Sequence, residues 1–180
     1  MIGAGDSHTS RPGGDKQGDN STKQMGTVDY SRWRFTTPLP DERLYTASHC
    51  WLREESAGVW RVGLTAFAVW LLGDVVEYGF TAAPGMPVAA GQEIGWVEGL
   101  KAVQAIETPV EGAFLEEGGA IAADITVLER DPYHAGWLYR VRGSPAAGAL
   151  DVRAYAALLD SAVDAVKLTR EAECGGECEG

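Results

Sequence analysis

Between residues 94 and 106, two short apolar stretches flank Glu98-Gly99-Leu100-Lys101-Ala102, and this segment restricts the fold more than any other. It is too short to hold a helix between strands and carries a glycine at its bend, so the backbone must double back as an antiparallel hairpin. A lysine then stands at or near the tip. A hairpin needs a sheet to lie in, and other segments supply strands. Trp60, Val62 and Leu64 fall on one face of residues 59–64, while Trp137, Tyr139 and Val141 alternate with Leu138, Arg140 and Arg142, the period of two that pleating imposes. Residues 75–78 and 113–116 read as further strands, with turns at residues 83–85 and 108–112. There are 23 glycines in 180 residues, against a usual share of roughly 7%, which favours short strands and tight turns over a helix bundle.

Two helices are expected. Thr65 caps a short one that Gly73 ends, and Asp151 caps a C-terminal amphipathic one in which Val152, Tyr155, Leu159, Val163 and Val166 recur at helical spacing. Residues 1–27 are rich in Gly, Ser, Asp, Thr and Asn and bury too little to offset the entropy of ordering, so they read as a disordered tail. Residues 28–43, with Trp33, Phe35, Pro38 and Pro40, read as an extended arm packed on the domain. The domain itself spans residues 44–170, and residues 171–180 form an acidic, solvated tail.

Charge and composition exclude several classes of function. Fifteen Lys and Arg against 26 Asp and Glu leave a net charge of −11, which disfavours nucleic acid and anionic lipid surfaces as partners. No apolar run approaches the roughly 20 residues of a membrane helix. No signal segment follows Met1, and Cys50, Cys174 and Cys178 cannot form a closed disulfide framework, so the cytoplasm is expected. There is no phosphate loop, dinucleotide fingerprint or nucleophile elbow. His49 and His134 read as turn residues, and His8 falls in the tail, leaving little material for a metal site or a triad. Cys174 and Cys178 have CxxxC spacing, which as a redox pair or half a metal site is a weak pattern.

A lysine at the tip of a rigid hairpin can present its amine to a modifying enzyme while the strands stay paired. Several segments resemble, in order, those of the H protein family of the glycine cleavage system. Ser48-His49-Cys50-Trp51 is similar to the family's Ser-His-Glu-Trp opening, and Glu98-Gly99-Leu100-Lys101-Ala102 to its Glu-Ser-Val-Lys-Ala lipoylation hairpin. Pro132-Tyr133 with Gly136-Trp137-Leu138 resembles its Pro-Tyr-Gly-x-Gly-Trp-Leu signature. The resemblance implies a mainly β protein with flanking helices: a barrel-sandwich hybrid of the lipoyl/biotinyl type, with two small antiparallel sheets and a C-terminal helix. It implies lipoate in amide linkage to Lys101, with Glu98, Gly99, Leu100 and Ala102 as the recognition surround. It implies no catalysis by the chain itself, which would shuttle the aminomethyl group of glycine from a pyridoxal-phosphate decarboxylase (P protein) to an aminomethyltransferase (T protein). A dihydrolipoyl dehydrogenase (L protein) would reoxidise the arm, and a lipoate ligase or lipoyl transferase would attach it. Glu98, Glu107 and Glu111 suit docking against basic partner surfaces.

The chain departs from the family at the cleft that receives the loaded arm. Where the family has Glu, His or Tyr, and Asp, this sequence has Cys50, Phe67 and Ala105, and only Ser48 keeps its polar type. An H-like carrier of a noncationic cargo, or an interaction module that never carries lipoate, are therefore alternatives, and a Cys50 thiolate could exchange with a dithiolane. Ala66, Val69, Trp70 and Leu71 replace mostly polar residues on the short helix. Either they form a partner surface, or the arm with Trp33 and Phe35 folds over them.

Overall fold

A computed structural model describes residues 26–175. In chain order they form β1 (Thr27–Arg32), β2 (Phe35–Pro40), β3 (Leu44–Tyr45), β4 (Cys50–Ser56), β5 (Val59–Leu64), α1 (Ala66–Leu72), β6 (Val75–Phe80), β7 (Pro87–Val88), β8 (Glu93–Gly99), β9 (Val103–Glu107), β10 (Val110–Glu117), α2 (Gly119–Ala123), α3 (Val127–Arg130), β11 (Trp137–Pro145) and α4 (Val152–Gly175). A six-stranded sheet runs β3-β4-β5-β11-β10-β7, and a three-stranded sheet runs β6-β8-β9. Every pairing is antiparallel and neither sheet closes on itself. This is the mainly β, two-sheet architecture with a C-terminal helix that the sequence leads one to expect.

The two sheets share one mainly aliphatic core. Leu52, Val62 and Leu64 of the larger sheet meet Ile94, Val97 and Ile106 of the smaller one, all at most 1% exposed. Burying each such side chain contributes about 1.5–3 kcal/mol before chain entropy is counted. Helix α1 seals one side with Ala68 and Leu72. Its limits follow local chemistry: the Thr65 hydroxyl accepts from the Ala68 amide, and Gly73 stops the helix at φ +75°, a conformation that side chains disfavour.

The N-terminal segment corrects one expectation. Residues 28–43 are not a single extended arm: β1 and β2 pair from Thr27↔Pro40 to Arg32↔Phe35 around a turn at Trp33 and Arg34. Pro38 and Pro40 are tolerated because β2 has a neighbour on one side only. This hairpin lies over α1, with the Phe35 ring 5.3 Å from Phe67 and 5.4 Å from Trp70, and Trp33 meeting Trp70 edge-on at 6.4 Å. Phe67 and Val69 are buried, and Ala66, Trp70 and Leu71 half-buried, so the apolar patch on α1 is covered by the chain itself.

The second correction concerns the C-terminal tail. Helix α4 does not stop near residue 170 but continues to Gly175, since no breaker precedes that glycine, and Lys167 stands 3.8 Å from Glu171 one turn on. The extended helix anchors the hairpin. Tyr30 donates to Asp160 at 3.1 Å, and Arg32 donates to both Asp164 oxygens at 2.8 and 2.7 Å. A second, aromatic core forms here from Tyr30, Phe35, Tyr45, Trp51, Phe67 and Tyr155, with Leu159 and Val163 of α4. Arg43 is buried beside it with its Cζ 4.2 Å from the centre of the Trp51 ring. Glu42 stands 3.5 Å from its Nε without hydrogen-bond geometry, so the ring face is the main compensation for that buried cation.

Residues 1–25, Cys178 and the side chain of Cys174 lie outside the described residues, and so do the expectations of an N-terminal disordered tail and of a CxxxC pair. Among the described residues no helix is long and apolar enough to cross a membrane.

Candidate functional site

Strands β8 and β9 pair from Glu93↔Glu107 to Glu98↔Val103 and leave residues 100–102 as the tip. The tip is closed by the Gly99 amide donating to the Ala102 carbonyl at 2.9 Å. It is then pinned to the end of α1: Lys101 N donates to the Leu72 carbonyl at 3.0 Å and Leu100 N to the Asp74 carbonyl at 2.9 Å. Leu72 O is one of the helix-end acceptors that lack an intrahelical donor, so one bond satisfies the helix and fixes the lysine backbone. Gly99 permits this approach, since a side chain there would run into that same carbonyl. Lys101 is exposed, as are Leu100 at 71% and Val103 at 64% on the same hairpin and Val76 at 54% on the neighbouring strand β6. Such an apolar rim about a free amine is suited to contact with another protein.

A groove lies on each side of Lys101. The first, of about 500 Å³, contains Ser48 and Ala105 together with His49, Leu71, Gln104 and Glu107. Gln104 donates across it to the Ser48 carbonyl at 3.2 Å. Of the four residues expected at a cleft, Ser48 and Ala105 line this groove and Cys50 and Phe67 do not. Cys50 is 2% exposed and Phe67 1%, because β4 turns Cys50 into the core between the sheets and α1 turns Phe67 toward Phe35 and His49. Burial pushes the Cys50 thiol up to about 11, so it is a packed sulfur and not a thiolate available for exchange.

His49 holds a turn conformation at φ +61°, as expected, but it also builds the groove wall. Its Nδ1 is 3.0 Å from the Tyr155 hydroxyl, which is 2.9 Å from the Thr65 hydroxyl. Burial lowers the pKa of the ring, favouring the neutral form. His134 is an exposed turn residue bonded to Asp131 at 2.9 Å. The second groove, of about 400 Å³, lies across Gly73 and Asp74, with Arg34, Phe35 and Thr36 of the hairpin on its far wall. No motif in the chain announces it, since its walls come from the N-terminal hairpin and from Glu129 on α3, a helix too short to read from periodicity.

The family profile of the glycine cleavage H-protein matches residues 43–162, two thirds of the chain. The chain belongs to that family. A glycine cleavage system H protein from Beutenbergia cavernae is 42% identical over 122 residues, covering 67% of this chain and 95% of that protein. One from Escherichia coli is 35% identical over 127 residues, covering 68% and 96%. The crystal structure of a glycine cleavage system H protein from Mycobacterium marinum superposes with a TM-score of 0.60 at 35% identity, covering 66% of this chain and 97% of that one. The relatives are thus spanned almost whole. The β1–β2 hairpin precedes the matched residues and the last part of α4 follows them.

The residues about Lys101 fit the lipoyl group that the family carries. The residue is exposed, its own amide and that of Leu100 are held by the carbonyls of Leu72 and Asp74, and its stem lies over Gly73. A methyl group built on Gly73 would sit 3.2–3.3 Å from Cγ, Cδ and Cε of Lys101, so the glycine leaves room that any side chain would fill.

Proposed function

We propose that this chain is the lipoyl carrier of glycine cleavage and that Lys101 is its attachment site. The observation that carries the assignment is the pinned tip: an exposed amine on a hairpin whose backbone donates to Leu72 and Asp74. An acylating enzyme requires an accessible Nζ, and a carrier that visits several active sites requires that its own frame not move with the arm. A lipoyl group in amide linkage there supplies a dithiolane that accepts the aminomethyl group of glycine and is later reoxidised. The chain's own residues hold the anchor, shield the stem and present the docking surface. With a lysine stem the arm reaches roughly 15 Å on ordinary bond lengths.

The partners that follow are the glycine decarboxylase, the aminomethyltransferase, the dihydrolipoyl dehydrogenase and the lipoate ligase or lipoyl transferase. Glu98, Glu107 and Glu111 are exposed on or near the carrier hairpin, and Asp74 and Glu77 extend that acidic surface, which suits steering toward basic partner faces. The noncationic alternative drew on the loss of polar residues at positions 50, 67 and 105; Cys50 and Phe67 are buried and do not line the groove, which leaves Ala105 alone. Lys101→Arg keeps charge and stem but cannot form the amide. It should fold as the parent does, remain unmodified, and fail to support exchange of the glycine carboxyl carbon with bicarbonate in the presence of the decarboxylase. Exchange by Lys101→Arg at the parent rate would refute the assignment.

A further inference from the structure

The Lys101 stem lies toward the Gly73 side, where its Cγ, Cδ and Cε cover the glycine, and not into the groove of Ser48 and Ala105. On that side the groove is lined by Ala66, Val69 and Trp70 of α1 and by Arg34, Phe35 and Thr36 of the hairpin, with the Phe35 ring packed on Trp70. An eight-carbon acyl chain ending in two sulfurs matches such a floor, since it is apolar along its length and sulfur packs well on aromatic rings. Asp74 and Glu129 stand at the rim, and Arg34 is on the hairpin wall. A protonated amine at the end of the arm would meet two carboxylates here, whereas Glu107 is the one carboxylate lining the opposite groove.

The wall is fixed and belongs to the part of this chain that precedes the family match. Trp33 turns the hairpin at φ +51°, a conformation that a bulky side chain rarely adopts, and its ring meets Trp70 edge-on while Arg170 stacks on both rings. A glycine or asparagine would make that turn more easily, so the tryptophan is held there by what its ring touches. The groove's volume of about 400 Å³ is in the range of small-molecule sites, which runs from about 300 to 1,000 Å³.

We infer that the N-terminal hairpin builds a resting groove for the lipoyl arm, so that in this chain the arm parks across Gly73 against the wall of residues 34–36 and the Trp70 ring, and not beside Ser48 and Ala105. The inference rests on Lys101 being the lipoyl site, and its test keeps the two apart. Full-length chain is produced with lipoate, and intact mass establishes modification; an unmodified Lys101 sinks the assignment and the groove with it. On modified protein, amide and indole NMR signals of lipoylated and unlipoylated chain are compared, and the rate of dithiolane reduction by dithiothreitol is measured against free lipoamide.

Shifts at residues 34–36 and at the Trp70 indole, with reduction slowed about tenfold by the tethered contact, are the expected result. Shifts confined to Ser48, His49, Gln104 and Ala105, or no shifts and no protection, overturn the groove while leaving Lys101 as the anchor. Thr36→Phe fills the proposed groove from an exposed strand position and should restore the reduction rate of free lipoamide. Ala105→Phe crowds the opposite groove and should leave the protection in place. The reverse pattern for the two variants contradicts the inference.

Discussion

The two cores of this molecule differ in kind. The one between the sheets is mainly aliphatic and draws all its members from residues that match the family, whereas the one beneath the hairpin is largely aromatic and takes Tyr30, Phe35 and Leu39 from residues that precede the match. The first core fixes the carrier hairpin, because Ile94, Val97 and Ile106 are its members and Lys101 is at the end of the strands that hold them. The second covers α1 and builds one wall beside the lysine. A carrier frame can therefore be kept intact while a second layer reshapes the surroundings of its arm.

The division is open to direct attack. Leu64→Ala empties a fully buried site between the sheets, and its expected cost of about 4 kcal/mol should appear in denaturant unfolding as a loss of the whole cooperative transition. Phe35→Ala removes a ring packed on Phe67 and Trp70, at about 3 kcal/mol, but the loss should be local. Hydrogen exchange should show residues 27–40 opening while β8 and β9 keep their protection. Equal loss of protection in both regions would mean that the two cores are one unit.

Much of the first region could be read from residues, and little of the second. The 94–106 hairpin was legible because a short segment with Gly99 at its bend admits few other paths, and α1 because Thr65 and Gly73 mark its ends chemically. The β1–β2 hairpin was not, since its turn carries Trp33 where turn chemistry asks for glycine or asparagine, and two prolines in β2 argue against a strand. Membership of the groove was half legible. Ser48 and Ala105 could be placed by resemblance, but whether Cys50 and Phe67 face solvent depends on the pleat of β4 and on what covers α1, and both are settled only by tertiary packing. Acid-rich composition was equally misleading for residues 171–175, which are helical because a solvated helix needs no buried face at its end.

Smaller effects should separate the regions further. Burial, then the hydrogen bond to Asp160, pushes the Tyr30 hydroxyl up to about 12 from the ordinary 10.0. The unfolded chain releases this proton near pH 10 and the folded one near 12, so its contribution is complete below pH 10 and is lost as pH rises to 12. Tryptophan fluorescence should report the hairpin lifting from α1 in that window, and Tyr30→Phe should remove that component. Least of all, the exposed Arg32 pairs with Asp160 and Asp164 should weaken as salt screens them, giving slightly faster exchange in β1 at high ionic strength and none in β8.

The central claim is that one amine on a pinned tip carries the arm. Peptide-level mass spectrometry of the full chain, made in cells supplied with lipoate, tests it most directly. The account predicts a lipoyl adduct on the peptide holding Lys101 and on no other lysine; a chain that stays unmodified, or is lipoylated at Lys167 instead, would contradict it.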